Sequence, residues 1–537
     1  MYWADELAAA ASGPQVVNDS KTPSGTVHVG SLRGVVLHDA IWRALRDRGL
    51  ETTFLYGVDD LDAMDAASLV TAEASERYMG VPLANVPAPE GSSSPNYARH
   101  YVGTLFLPVF EGLGIHPRFY WMSDLYAEGS MDRFVRTALD RADRVREIYR
   151  RVSRVEKPPG WLPVQVICEN CGRVGTTIAT DWDGQTVRYE CQPDLVKWAR
   201  GCGHAGRLAP FGGRATLPWN LEWAAKWSHF GVTIEGCGKD LATAGGSRDR
   251  SDAISREVFE REPPVNVPYE FLTTGGRRMS TSRGEGAAAH EVAALLPPEL
   301  LRFLFLRYPP RRALEFDPAG ETLPALFDEF DRVAAAVGGR PVRGEPPRDA
   351  DRILAASLPD PDADPLVEAA RFRPSFRHLA VLVQVPGVDL VSVMTAEKGA
   401  PLDEVERRIL DERARIAAEW VTTLAPERYR LEVHREALPR EAAALSEAQR
   451  DYLAAVASVA AEDAPDRGDA WQELIYRVAR ARGLTSGEAF GAIYLVFLGR
   501  PNGPRAGWLL ASLEDGFVVA RLRDAALTPP TAVGGIA

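Results

Sequence analysis

The sequence predicts an α/β fold of the Rossmann type in the first half of the chain, with a zinc-ribbon-like insertion, and an all-α region in the second half. The apolar run 15–17 leads through a turn of small residues into a helical pattern that ends near Gly49, which is a strand, a turn and a helix. Four of the five cysteines lie within 35 residues, and beyond Leu366 the apolar pattern is almost wholly helical.

The turn between the first strand and the first helix has the composition of a phosphate site. Residues 22–31 read TPSGTVHVGS, and a helix start leaves unpaired N–H groups and a positive dipole end beside such a turn. His28 and Gly30 are therefore expected at the phosphate end of the site. Taken alone, this stretch leaves a plain surface turn open as the alternative.

A second loop far downstream carries complementary groups. Residues 275–284 read GGRRMSTSRG, which combines glycines, cations and hydroxyl groups. A mobile clamp on a leaving pyrophosphate requires these groups, because negative charge spreads over the phosphate oxygens as the bond breaks.

The two motifs together resemble the HIGH and KMSKS signatures of class I aminoacyl-tRNA synthetases, at residues 28–31 (HVGS) and 278–282 (RMSTS). Three further stretches resemble the class I lysyl-tRNA synthetases in particular. They are TPSG at 22–25, GKD followed by AGGS between 238 and 247, and GPRAG at 503–507. The resemblance runs over essentially the whole chain.

This resemblance implies an ATP-dependent lysine–tRNA ligase, which forms lysyl-adenylate and passes the lysyl group to the 3′ end of tRNA, with Mg²⁺ on the phosphates. The residues expected to act in catalysis are His28, Gly30, Arg278, Ser280 and Ser282. Those expected to bind ATP are Pro23, Gly25, His28, Gly30, Ser31, Lys239, Asp240 and Met279. Those expected to bind the amino acid are Ser20, Thr22, Trp219, Asp240 and Tyr269.

Carboxylates follow the predicted second strand, residues 52–56. Asp59, Asp60 and Asp62 come just beyond its end, where open α/β sheets bind ligands, so they are candidates to meet a substrate ammonium or ribose hydroxyls. Solvation of a loop is the alternative.

The helical segment 217–227 carries three tryptophans at a spacing of four, Trp219, Trp223 and Trp227. This spacing puts them near one helix face, and core packing is the default explanation. Only the resemblance makes Trp219 a candidate for contact with the substrate.

Four cysteines form a candidate metal site. Cys168 and Cys171 have the chelating spacing of a zinc knuckle, and Cys191 and Cys202 could complete a tetrahedral site, with His204 as a substitute ligand. Ten residues separate Cys191 from Cys202, where the usual zinc ribbon has two. All four cysteines can bind one zinc only if these ten residues loop out. A structural zinc is predicted, because four protein ligands leave no open coordination position.

The domain boundaries follow from the same resemblance. Residues 1–290 are expected to form the catalytic domain, with the zinc-binding insertion at 160–215. Residues 291–365 are expected to connect it to a helical anticodon-binding domain at 366–537. The protein is expected to be a monomer.

The composition is that of an ordinary globular protein, with 45% apolar and 25% charged residues among 537. We find no signal-peptide pattern and no membrane span, and the few cysteines suit a reducing compartment, so a cytoplasmic protein is predicted. The formal charge of −12 argues against nucleic-acid binding over the whole surface, and DNA is not an expected partner. The arginines at 141–154 fit either a local tRNA contact or a solvated helix face.

Several departures from the family pattern fall on the amino-acid side of the site. Leu241 stands where His is usual, Ser20 where Gly is usual, and Asp65-Ala66 where an Arg-Lys pair is usual. On the ATP side, Arg278 replaces Lys and keeps the charge in a planar fork. Two alternatives therefore stay open: an amino-acid-activating paralogue with an altered substrate or acceptor, and a catalytically silent tRNA-binding protein.

Overall fold

The computed structural model describes residues 1–25, 29–65, 76–274, 277–278, 292, 296–342, 344–385, 388–463, 465 and 468–528. The chain divides into two compact units. The first comprises Met1–Phe316 and Arg332–Ala369, and the second comprises Asp317–Asp331 and Ala370–Ala537. None of the described helices is both long and apolar enough to span a membrane.

A parallel sheet lies at the centre of the first unit. Strands β1 (Gln15–Lys21), β2 (Thr52–Val58) and β3 (Arg118–Trp121) are adjacent in that order, with Val17 opposite Phe54. On the other side of β1, Val17 forms a parallel bridge to Ile234, and Ile234 forms one to Val265. All of these segments therefore run in one direction and end at the same edge.

Short strands complete the first unit. The insertion contains β4 (Gln165–Val166) paired with β8 (Ala215–Thr216), and an antiparallel sheet of β5 (Thr177–Thr180), β6 (Val187–Cys191) and β7 (Ala205–Leu208). Beyond it, β9 (Cys237–Gly238) pairs in parallel with β10 (Pro268–Tyr269). Strand β11 (Leu272–Thr274) lies between β12 (Arg277–Arg278) and β13 (Leu314–Glu315).

Helices surround these strands. In chain order they are α1 (Trp3–Ala10), α2 (Leu32–Asp47), α3 (Tyr97–Tyr101), α4 (Leu107–Gly112), α5 (Met122–Ala127), α6 (Asp132–Asp140), α7 (Ala142–Ser153), α8 (Trp219–Phe230), α9 (Ser247–Glu257), α10 (Pro298–Leu306), α11 (Thr322–Val337), α12 (Ala350–Ser357) and α13 (Pro365–Ala370). Helix α11 begins in the second unit and ends in the first. A π-helical turn at Val102–Phe106 joins α3 to α4, and α8 ends at Gly231, whose φ of +69° is readily adopted by glycine.

In the second unit, every regular element described from residue 370 onward is helical. The α-helices there are α14 (Phe376–Leu382), α15 (Leu390–Lys398), α16 (Glu404–Thr423), α17 (Glu447–Asp463), α18 (Gly468–Ala481), α19 (Ser486–Leu498), α20 (Ala506–Ala511) and α21 (Asp515–Leu527). Capping boxes start two of them, with Asp403 and Glu406 at α16 and Thr485 and Glu488 at α19.

Helix α2 is buried along most of its length, although it carries several polar side chains. Asp39, 1% exposed, accepts a 2.6 Å hydrogen bond from the fully buried Arg302 of α10 and lies 2.8 Å from Arg43 Nε. Arg302 also donates to the carbonyl groups of Leu113 and Ala356. One carboxylate therefore compensates two buried guanidinium groups that tie α2 to its neighbours.

We predict that Asp39→Asn lowers the free energy of unfolding by about 3–5 kcal/mol, because removing one partner leaves buried charge uncompensated. Urea denaturation followed by circular dichroism measures the change. The matched control is Arg144→Gln, which breaks surface pairs with Glu147 and Glu257 and is expected to lower the free energy of unfolding far less, because exposed ion pairs contribute little. Equal effects of the two substitutions would contradict this interpretation.

Candidate active site

A cavity of about 490 Å³ opens at the carboxyl ends of the parallel strands, and we call it the strand-end pocket. The ends of β1, β9 and β10 and the turn after β2 line it, because parallel strands finish at a common edge. Its carboxylates are Asp19, Asp59, Asp65, Glu222 and Glu235, and its ammonium groups are Lys21 and Lys226.

Several residues expected at the site line this pocket. Ser20 and Thr22 come from the end of β1 and the turn beyond it, Gly25 from the same turn, Trp219 from the start of α8, and Tyr269 from β10. Trp219 is 44% exposed and stacks on Trp223 at a centroid distance of 5.5 Å. Leu241, one of the departures from the family pattern, also lines the pocket.

Other expected residues lie outside the pocket lining. Lys239 forms a 2.5 Å ion pair with Glu270, and Asp240 lies next to Gly238 in the following turn. Pro23 is buried in the turn after β1, while Gly30 and Ser31 belong to a 3₁₀ turn that leads into α2. For Arg278 only the backbone is described, opposite Thr273 in the sheet. His28, Met279, Ser280 and Ser282 lie outside the described residues.

A buried ion pair forms part of the pocket wall. Lys226, with a side chain only 3% exposed, lies 2.7 Å from Asp59 and donates to the Ser20 hydroxyl at 3.0 Å. Asp59 raises the pKa of Lys226 above its usual value although burial acts in the opposite direction, so the lysine stays charged. The pair neutralises Asp59 and leaves the charge of the pocket to the other carboxylates.

Glu235 has its full set of hydrogen bonds. The indole N–H groups of Trp223 and Trp227 donate to it at 2.7 Å, and the Asn18 amide donates at 2.9 Å. The tryptophans predicted to share one helix face do so, and two of them also hold a buried carboxylate in place. This carboxylate is therefore part of the framework of the pocket wall.

Glu222 differs from Glu235 in its surroundings. It is 5% exposed, and the Tyr126 hydroxyl donates to it at 2.9 Å while accepting from the Leu217 N–H. Burial, reinforced by the negative charge of Asp59, raises its pKa well above the usual value for glutamate. Glu222 therefore holds its proton in the free protein more tightly than an exposed glutamate does.

Asp62 lies behind the pocket lining and accepts a 2.5 Å hydrogen bond from the Thr22 hydroxyl. Burial and the neighbouring Asp59 raise its pKa to about 7. The predicted cluster of carboxylates after β2 is thus brought to the pocket, although Asp60 faces away and bonds to Ser123.

Two residues of α2 position the opposite wall. Arg33 donates to the carbonyl groups of Glu270 and Arg312, and His38 Nε2 accepts the Gly236 N–H at 2.8 Å. A Cβ atom at Gly34 would lie 2.9 Å from the Tyr269 hydroxyl, so the absence of a side chain there lets Tyr269 approach the helix.

Glu222, Lys226 and Glu235 line the pocket but were not predicted from the sequence. A signal was available for the first two, since both follow Trp219 at helical spacing, three and seven residues on, along the buried face. Charged residues at such positions need partners or a ligand. Glu235 carries no comparable signal, because it lies outside the helices and strands, where no regular spacing relates it to its donors Trp223, Trp227 and Asn18.

The four cysteines converge in the insertion. Their sulfur atoms all lie within 4.8 Å of one another, with Cys168 and Cys202 at 3.6 Å and Cys171 and Cys191 at 3.7 Å. A tetrahedral zinc with four thiolates requires sulfur separations of about 3.8 Å, so the cluster fits this ion. His204 is not part of it, and its ring lies beside that of Tyr189.

The ten-residue gap loops out, as the site requires. Cys191 donates its N–H to His204 and accepts from Gly203 through its carbonyl, which closes the base of the loop. A Cβ atom at Gly201 would lie 2.3 Å from the Gln192 carbonyl, so only glycine fits this closure. A hydrogen bond from Asn170 lowers the pKa of the Cys202 thiol to about 6, which favours the thiolate.

The arginines of α7 are mostly paired. Arg144 and Arg151 both contact Glu257, Arg146 contacts Asp143, and Arg141 just before the helix contacts Glu260. These contacts favour the interpretation as a solvated helix face over that of a free basic strip.

Comparison with known proteins identifies the family. The family model described as tRNA synthetases class I (K) matches residues 2–350. A lysine–tRNA ligase from Archaeoglobus fulgidus is 34% identical over 531 residues, covering 98% of this chain and 100% of that protein. The corresponding protein of Methanosarcina barkeri is 31% identical and covers 99% and 98%, and that of Thermoplasma acidophilum is 32% identical and covers 98% of each.

These matches confirm the resemblance that the two signature motifs indicated, and they extend over nearly the whole length of this chain and its relatives. The chain therefore belongs to the class I tRNA synthetases of the (K) family.

Proposed function

We propose that the protein is a lysine–tRNA ligase, which activates lysine with ATP to lysyl-adenylate and transfers it to the 3′ end of tRNA. Beyond family membership, the observation that carries this proposal is the acidity of the strand-end pocket. Five carboxylates line it against two ammonium groups, and one of the two is already paired with Asp59.

The charge of the pocket matches an amino acid with two ammonium groups. A buried carboxylate without a cationic partner is costly, and a bound ammonium removes that cost. Glu235 is occupied by three donors and Asp59 by Lys226. We assign to Glu222 the side-chain ammonium of lysine, because it is buried, lines the pocket and accepts a hydrogen bond from a neutral hydroxyl, that of Tyr126.

ATP belongs at the start of α2, in a Rossmann-type arrangement of β1, turn and helix. The turn carries Gly25 at φ +66°, and the Tyr101 hydroxyl donates to the carbonyls of Ser24 and Gly25, which supports a fixed turn. His28, Gly30 and the helix N–H groups would cradle the phosphates, and Arg278, Ser280 and Ser282 would close over the departing pyrophosphate. Mg²⁺ would neutralise phosphate charge when bound.

The remaining assignments also rest on the family. The helical region from 366 to 537 would bind the anticodon end of tRNA, while the protein would act as a monomer in the cytoplasm. The cysteine cluster would hold a structural zinc. A paralogue with another substrate is the second candidate, because the apolar Leu241 lines the pocket.

We predict that Glu222→Gln raises the KM for lysine about 10- to 100-fold and leaves the KM for ATP unchanged, because one charged hydrogen bond to the ammonium is lost. ATP–pyrophosphate exchange with tRNA present measures both constants. The matched control is Asp65→Asn, an exposed carboxylate of the same pocket, with an expected change below about threefold. An unchanged lysine KM in Glu222→Gln, or exchange driven by another amino acid, would contradict the proposal.

The pH dependence of lysine binding gives a second test. The raised pKa values of Glu222 and of Asp62, the latter about 7, keep protons on the free pocket that an ammonium ligand displaces. We therefore predict that the Kd for lysine falls as pH rises towards 7, by up to about tenfold per pH unit for one proton released. Calorimetry in buffers of different ionisation enthalpy counts the protons. A Kd for lysine that does not change with pH, together with a binding enthalpy that is the same in all buffers, would contradict this prediction.

For the metal, we predict about one zinc per chain by elemental analysis, with removal by chelators lowering the Tm by at least about 5 °C. Cys202→Ser is expected to weaken zinc binding, since a thiolate ligand is lost. The control is Cys237→Ser, which alters the buried cysteine outside the cluster and is expected to retain the metal. Full zinc retention in Cys202→Ser would show that this thiol is not a ligand.

A further inference from the structure

The loop between the third and fourth cysteines, residues 192–201, extends from the metal cluster to the loop that carries Asp59 and Asp62. We propose that this gap loop and the adjacent cysteine turn, residues 168–173, clamp the strand-end pocket and hold its carboxylates in position. The insertion then has a positioning role in the binding of the cationic amino acid.

Residues 62–64 and 80–83 form a short two-stranded ladder next to the pocket. Met64 donates to the Val81 carbonyl and Gly80 donates to the Met64 carbonyl, both at 2.8 Å. Leu83 donates to the Asp62 carbonyl at 3.0 Å and Ala84 to the Asp60 carbonyl at 2.7 Å. The segment from Asp60 to Met64 is therefore hydrogen-bonded to residues 80–84, while Asp59, directly before it, donates its N–H to the Lys21 carbonyl at 3.1 Å.

The cysteine turn and the next residue, Val174, are hydrogen-bonded to this ladder. The Val174 N–H donates to the Gly80 carbonyl at 2.8 Å, and Arg173 Nε donates to the Met79 carbonyl at 2.9 Å. Arg173 in turn closes the knuckle, since its carbonyl accepts the Cys168 N–H at 2.9 Å. One residue thus links the metal-binding turn to the ladder.

The tip of the gap loop, at Trp198 and Ala199, packs near Gly175 and Gly80. A Cβ atom at Gly175 would lie 2.5 Å from the Trp198 ring and 3.4 Å from Ala63 Cβ, so the indole lies directly over the junction of turn and ladder. A Cβ atom at Gly80 would lie 3.0 Å from Ala199 Cβ. The loop base is held by Cys191 and Cys202, so its tip keeps its position while these two thiols are held together.

This arrangement accounts for a gap of ten residues where a zinc ribbon needs two. A shorter connection would satisfy the metal but could not bring the Trp198 ring to Gly175. Trp198 is 41% exposed, and the close approach of its ring to Gly175 gives this exposed tryptophan a structural role.

Hydrogen exchange measured by mass spectrometry tests the clamp. In Trp198→Ala and in Arg173→Met, the amides of Gly80, Leu83 and Ala84 are expected to exchange about tenfold faster, because local opening requires fewer contacts to break. Elemental analysis is expected to show unchanged metal content, and exchange in α14–α21 is expected to stay as in the wild type. The matched control is Leu195→Ala, which alters a 37% exposed residue of the same loop and is expected to leave these amides unchanged.

The KM for lysine is expected to rise about three- to tenfold in the same two variants, without change in the KM for ATP. This second readout rests on the proposed function, whereas the exchange measurement uses the protein without substrate and does not. Wild-type exchange at the three amides in both variants would overturn the proposal, and so would equal acceleration in Leu195→Ala. Faster exchange with an unchanged lysine KM would overturn the positioning role alone.

Discussion

Charge balance inside the strand-end pocket is the constraint on which the first unit depends. Carboxylates that leave water must find cations or several hydrogen-bond donors, or else take up protons. The protein uses all three solutions within one cavity: Lys226 pairs with Asp59, three donors satisfy Glu235, and burial raises the pKa of Glu222. A bound cation would lower the pKa of Glu222 again and displace its proton. The burial of this carboxylate therefore favours a cationic substrate.

Helix α2 connects the pocket wall to the rest of the first unit. It starts at the turn expected to hold phosphates, and its side chains reach the amino-acid side through Arg33 and His38. Further along, Asp39 joins it to Arg302 of α10. This buried helix therefore joins the turn after β1 to the pocket wall and to α10 through the specific partners of Arg33, His38 and Asp39.

Much of this could be predicted from the sequence, wherever local pattern decides the outcome. The strand and helix around the first turn, the four cysteines, and the pocket positions of Ser20, Thr22, Trp219 and Tyr269 all follow from spacing or from the family motifs. The rest depends on contacts between distant segments. Lys239 remains a predicted ATP contact, and its ion pair with Glu270 could not be predicted because it depends on the pairing of β9 with β10. The sequence shows only a ten-residue gap between Cys191 and Cys202, and the approach of Trp198 to Gly175 becomes visible only in the fold.

Charging of total tRNA by the pure protein, with ATP, Mg²⁺ and each of the amino acids in turn, is the most direct test of this function. Lysine alone is expected to be esterified, to the tRNA that accepts lysine. Charging with a different amino acid, or adenylate formation that never reaches tRNA, would contradict the assignment of the acidic pocket to lysine. Binding of tRNA without pyrophosphate exchange under any condition would contradict catalysis itself.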